Sequence, residues 1–131
     1  MKSKEIGGII KFKNYVVDAV EFRNNPDFEG KEATIQFEPS VDFDIDGNDM
    51  LVVLTVDIFK DAIKHNYPFE MFIRVVGFFQ TSSNDQIEEY KTNAVAILFP
   101  YVRSIVSTYT ASANVNPLIL PTVNINKLLK E

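Results

Sequence analysis

Apolar and polar side chains alternate almost without interruption from residue 33 to residue 46. Ala33, Ile35 and Phe37 point one way, and Thr34, Gln36 and Glu38 point the other. The pattern resumes with Val41, Phe43 and Ile45 against Asp42, Asp44 and Asp46. A period of two predicts a strand with one face in a core and one in water. Pro39-Ser40 is expected to break or bulge it, because proline cannot donate to a ladder. Gly47, Asn48 and Asp49 supply a hairpin turn, and Met50 to Phe59 forms the return strand. Ile9 to Phe22 predicts an earlier strand, apolar on both parities, which ends in the turn-rich stretch Asn24 to Gly30. Asp61 to Asn66 reads as a loop or a helical turn. Pro68 to Gln80 is a further strand, with Gly77 marking a bulge or a close approach. Four strands in this order suggest an antiparallel meander.

The period then lengthens. Ile87, Tyr90, Ala94, Ile97, Leu98, Tyr101, Ile105 and Tyr109 recur at helical spacings. Ser83 or Asn84 can cap the start, and Asp85, Glu88 and Glu89 suit the positive end of the helix dipole. Pro100 removes the bond to the Ala96 carbonyl, so a kink is expected there. Polar residues after Tyr109 end the helix. An apolar run bracketed by Pro117 and Pro121 follows, then a short terminal helix. The fold class is therefore α+β: a four-stranded antiparallel sheet, one long kinked helix and a short C-terminal helix, expected as a single domain over residues 1–131.

Composition sharpens this picture. Hydrophobic residues make up 46% of the chain, with 11 Phe and 5 Tyr spread over both parities of several strands. One helix layer covers only one sheet face, so the excess must be buried in an oligomer or left as a binding groove. Tyr101, Ile105 and Tyr109 are the residues expected at a subunit contact. The absence of cysteine excludes disulfides, thiol catalysis and thiolate metal sites. A net charge of −5 argues against nucleic-acid binding, which needs clustered Lys and Arg. No signal-peptide core and no apolar run near bilayer length is apparent, so no membrane insertion and a cytoplasmic location are expected. Acids crowd residues 27–57, with Lys31 as the single base among them. A solvated strand face that discourages aggregation is the simpler reading of that patch, and attraction of a basic partner is the other.

Little chemistry competes for attention. Asp42, Asp44, Asp46 and Gly47 match the opening of a calcium loop, but Val53 stands where a bidentate Glu is needed, and strands flank it. His65, the only histidine, has no nucleophile and orienting partner in view. No phosphate-binding or nucleophile-elbow motif occurs. No enzyme activity, metal site or cofactor is expected.

One stretch does carry a family likeness. The run NAVAILFPYVR, with Phe99, Pro100, Tyr101 and Arg103, resembles the F-P-Y-x-R helix of the SecB export-chaperone family. The run NPLILPTVN, with Pro117, Leu118, Leu120, Pro121, Val123 and Asn124, resembles its proline-bracketed segment. MLVVLTVDI and VVGFF are similar to two of its strands. The resemblance implies a SecB-like fold, assembly as a homotetramer (a dimer of dimers), and ATP-independent holding of unfolded polypeptides or preproteins in apolar grooves, serving protein export. It also admits a partner-specific role, such as a chaperone dedicated to one antitoxin without delivery to the SecA motor. Parity and family regions together place the client groove at Phe37, Phe43, Phe78, Phe79, Ile119 and Leu120. Asp18 and Glu21 are the implied translocase contact. Phe22 and Phe72 stand where the family carries further acids.

Overall fold

A computed structural model describes residues 10–30, 33–82, 84–113 and 115–130, with the backbone alone for 84–86. Four strands form one antiparallel sheet: β1 (Ile10–Asn24), β2 (Phe37–Asp46), β3 (Asp49–Ile58) and β4 (Phe69–Thr81). Their order is β1-β4-β3-β2. Only β2, β3 and β4 make the expected meander. β1 lies at the far edge beside β4, because the long connection after Asn24 lets it cross the end of the sheet.

The β2–β3 hairpin turns on Gly47, whose φ of 61° with Asn48 outside the positive region gives the type II′ pattern. Alternation set these two strands correctly, but β2 begins at Phe37, not at residue 33. It also runs through Pro39 with no register shift, pairing Pro39 with Val56. The expected bulge is absent because Pro39 falls at a position whose missing N–H would face away from β3. Bulges occur in β1 instead, between Phe12 and Asn14 and between Val17 and Ala19.

The β1–β2 and β3–β4 connections are tied together at one end of the sheet. Buried Asn25 donates through Nδ2 to the Tyr67 carbonyl at 2.8 Å and to the Ala62 carbonyl at 3.3 Å. Asn66 and Glu29 exchange two further bonds of 2.8 and 3.0 Å. A short helix, α1 (Ala62–His65), sits in the β3–β4 link. Phe59, Asp61 and Asn66 around it all take left-handed φ values of 53°, 59° and 55°.

One layer of helix covers one face of the sheet. A 3-10 turn over Asn84–Tyr90 leads into α2 (Lys91–Ser112), which continues through exposed Pro100. Ser83, an expected cap, lies outside the described residues, and α2 itself starts at Tyr90 with no side-chain cap. Ala94, Val95, Leu98, Val102 and Val106 of α2 are fully buried with Val52, Leu54, Val56, Ile73 and Val75 of the sheet. By length and composition Ile87–Ser112 would suffice to cross a membrane, contrary to the sequence reading. Here its apolar side is spent on the sheet. The chain ends in α3 (Ile125–Leu129), whose start is capped by Asn124 accepting from the Lys127 amide at 3.0 Å.

Candidate functional site

Backbone parity decides what β2 offers to its surroundings. The Phe59 amide bonds the Gln36 carbonyl at 2.8 Å, and register then makes 38–57, 40–55, 42–53 and 44–51 the hydrogen-bonded pairs. The even residues of β2 therefore spend their main-chain groups on β3. Phe37, Pro39, Val41, Phe43 and Ile45 turn theirs outward, and no backbone hydrogen bond from another described element reaches them. These same five side chains form a half-buried apolar column beneath the helix layer. Lys91 of α2 stands over the Phe43 ring at 5.0 Å and pairs with Glu88 at 3.5 Å. At the other end of the column a groove of about 430 Å³ opens, lined by Phe37, Pro39, Val123, Asn124, Lys127 and Leu128. It separates β2 from α3.

The segment before α3 is held by one side of α2. Thr110 Oγ1 donates to the Val106 carbonyl at 2.8 Å and accepts from the Leu118 amide at 2.8 Å. Ser107 Oγ donates to the Leu118 carbonyl at 2.9 Å, and Arg103 Nε to the Leu120 carbonyl at 2.9 Å. Positions 103, 107 and 110 share one helix face, so three side chains grip an extended strap in place of a neighbouring strand. Leu118 and Leu120 turn into the core, while Ile119 is 70% exposed.

The opposite face of the sheet has no helix over it. Across it run Val16, Val76 and Val53, then Phe78 beside Leu51. Acids of β2 (Asp42, Asp44, Asp46) flank this apolar centre. A second row crosses the sheet as Glu21, Phe72, Asp57 and Glu38. Burial holds the Asp57 carboxyl above its usual 3.8, Lys60 opposes that, and the neighbouring carboxylates Glu38, Glu21 and Glu70 reinforce it. A cleft of about 630 Å³ opens here at the sheet end, lined by Glu21, Arg23, Asp57, Lys60 and Glu70 among others. It is larger than the groove beside β2 but its mouth is charged on both signs. It offers an extended apolar segment little to bury.

The residues singled out from sequence divide accordingly. Phe37 and Phe43 share the β2 column, and exposed Ile119 lies on the strap. Phe78 is on the other face of the sheet. Phe79 and Leu120 are 2% and 0% exposed and serve the core, so neither lines a groove. The reason is parity: Phe79 neighbours Phe78 on one strand, and Leu120 alternates with Ile119. Tyr101 stacks on Tyr15 at 4.5 Å and on Phe12 at 5.6 Å, Tyr109 lies on Phe22 at 5.7 Å, and Ile105 is half-buried. These three first of all cover β1 within the protomer. Asp18 and Glu21 both reach the open face, and Asp18 is paired with Arg74 at 3.2 Å. Among the described residues no group of His, Asp or Glu is placed to hold a metal. Val41, Pro39, Lys91 and Leu128 belong with the column and were missed. Val41 was already marked by the alternation around Phe43.

The family model described as "Preprotein translocase subunit SecB" matches residues 12–131. The uncharacterized protein MJ0357 of Methanocaldococcus jannaschii is 35% identical over 126 residues, covering 88% of this chain and 79% of that one. Among solved structures, the Mycobacterium tuberculosis Rv1957 SecB-like chaperone in complex with a ChAD peptide from the HigA1 antitoxin aligns with a TM-score of 0.67. Its identity is 13%, with 88% of each chain covered, so the likeness is one of fold. A Streptococcus agalactiae protein of unknown function aligns at a TM-score of 0.50 and 10% identity, covering 88% of this chain and 99% of that one.

Proposed function

The chain belongs to the SecB family, and we propose on that premise that it is an ATP-independent holdase for unfolded or preprotein segments. The family's chaperones are not enzymes. The observation that carries the reading is the half-buried apolar column of β2, open at the sheet edge and continuous with the groove to α3. An extended client buries side chains there one at a time, each Phe or Leu contributing about 1.5–3 kcal/mol. Phe37, Phe43 and Ile119 remain the client-facing residues. Assembly into a cytoplasmic homotetramer belongs to the same proposal. Its subunit contacts would use the uncovered rims of Tyr101 and Tyr109 with Ile105, beside an outer α2 face that is exposed and uncharged at Ala96, Pro100, Ser104 and Thr108.

A second reading, a chaperone dedicated to one partner such as an antitoxin, is favoured by the open face. Asp18 is engaged by Arg74, and Glu21 faces Phe72, which weakens an acidic surface for an export motor. The Mycobacterium tuberculosis fold relative holds an antitoxin peptide, which supports that reading by analogy alone.

Light scattering of a denatured client diluted into buffer tests the holdase. The wild-type protein should suppress aggregation without nucleotide, and failure in molar excess would sink the reading. Phe43→Ser should weaken client binding about tenfold or more, given the loss of one aromatic contact. Phe78→Ser should leave it unchanged, because that ring lies on the other face. Equal loss in both variants would move the client site to the open face.

A further inference from the structure

We infer that β2 receives its client as an added strand, and that it selects segments in which apolar and basic residues alternate. This rests on the client-holding reading and names the class of segment held. In β2 the residues with free main-chain groups are also the apolar ones, Phe37, Val41, Phe43 and Ile45. A strand bonded to them places the residues directly opposite on the helix side of the sheet, whichever direction it runs. Those residues must be apolar to join the column. The client's intervening residues fall on the open face, beside exposed Asp42, Asp44 and Asp46, where basic side chains are matched across the pair. Pro39 offers a carbonyl but no N–H, so full pairing spans Val41 to Ile45 and engages a client stretch of about six residues.

Charge also says what does not sit there. A second copy pairing through the same edge would set these acids against their own kind. The other edge is a poorer template, because β1 is bulged twice and β2 is not. The acids of β2 thus keep copies of the chain apart and admit a strand of opposite charge.

The test uses the full-length chain and two synthetic peptides of identical composition. One alternates Val and Phe with Lys and Arg, and the other carries the same residues in blocks. The alternating peptide should bind about tenfold tighter. It should slow amide exchange at Val41, Phe43 and Ile45. Val41→Pro removes one outward N–H at the parity Pro39 already occupies, leaving the ladder to β3 intact. It should weaken the alternating peptide about fivefold or more and leave the block peptide unchanged. Equal affinity for the two peptides, or no protection of those three amides, would overturn strand addition while leaving client holding in place. Protection that grows with protein concentration in the absence of peptide would assign the edge to a second copy and also overturn it. Binding of neither peptide, with no suppression of client aggregation, would remove the holding reading itself.

Discussion

Gly77 is the point of closest approach between helix and sheet. A Cβ built there would meet Phe79 Cε1 at 2.8 Å and both Leu98 Cδ atoms at 3.1 Å. Gly77→Ala should therefore destabilise the fold by about 1–3 kcal/mol, toward the lower end because the obstructing atoms are side-chain tips. Denaturant unfolding measures it directly. A glycine inside a β-pattern announced either a bulge or this crowding, and the unbroken pairing of Gly77 with Val52 selects crowding. Phe59 is the contrary case. Nothing in its neighbours hints at a φ of 53°, and an aromatic residue favours extended backbone. It is held there because its ring packs against Tyr67 at 4.9 Å and Phe69 at 5.2 Å, residues contributed by the far side of the β3–β4 link.

Among the elements, the strap shows most clearly what a linear pattern conceals. Two prolines around an apolar run were enough to expect extended backbone over 117–121. They did not say that Leu118 and Leu120 would enter the core, or that Arg103, Ser107 and Thr110 would supply the hydrogen bonds a neighbouring strand normally provides. Those partners are set by helix rotation, which only packing fixes. Thr110→Val keeps the shape and leaves the buried Leu118 amide without its acceptor, at a cost of about 1–3 kcal/mol. Thr110→Ser should restore most of that stability and the slow exchange of the Leu118 amide. Period two was similarly sufficient to place β2 and β3 and insufficient for the strand order, since β1 is apolar on both parities and fits either edge. The client column followed the same rule: Phe37 and Phe43 were found from alternation, whereas Lys91 reaches Phe43 only after α2 has docked.

At the scale of the molecule the sheet has two unlike sides. One is consumed by α2, α3 and the strap. The other keeps an apolar centre with carboxylates in rows, and Asp57 is held above its ordinary pKa by burial first and by its acidic neighbours second. The folded state therefore binds that proton more tightly than the unfolded chain does. Stability from this group is greatest below 3.8 and is lost as pH rises through the folded value. Asp57→Asn should raise the melting temperature at neutral pH and flatten the pH dependence just above 3.8. A variant less stable than wild type at neutral pH would refute that sign.

The order β1-β4-β3-β2 also has a consequence for synthesis. The ribosome delivers β1 first, yet its only partner in the sheet is the last strand to be made. The hairpin of β2 and β3 can close as soon as it emerges, but Phe12, Tyr15 and Phe22 must wait for Phe79, Tyr101 and Phe69. At about 5–20 residues per second, that leaves the first strand uncovered for several seconds of translation. A protein proposed to shelter unfinished chains is for that interval an unfinished chain with its own aromatic surface exposed.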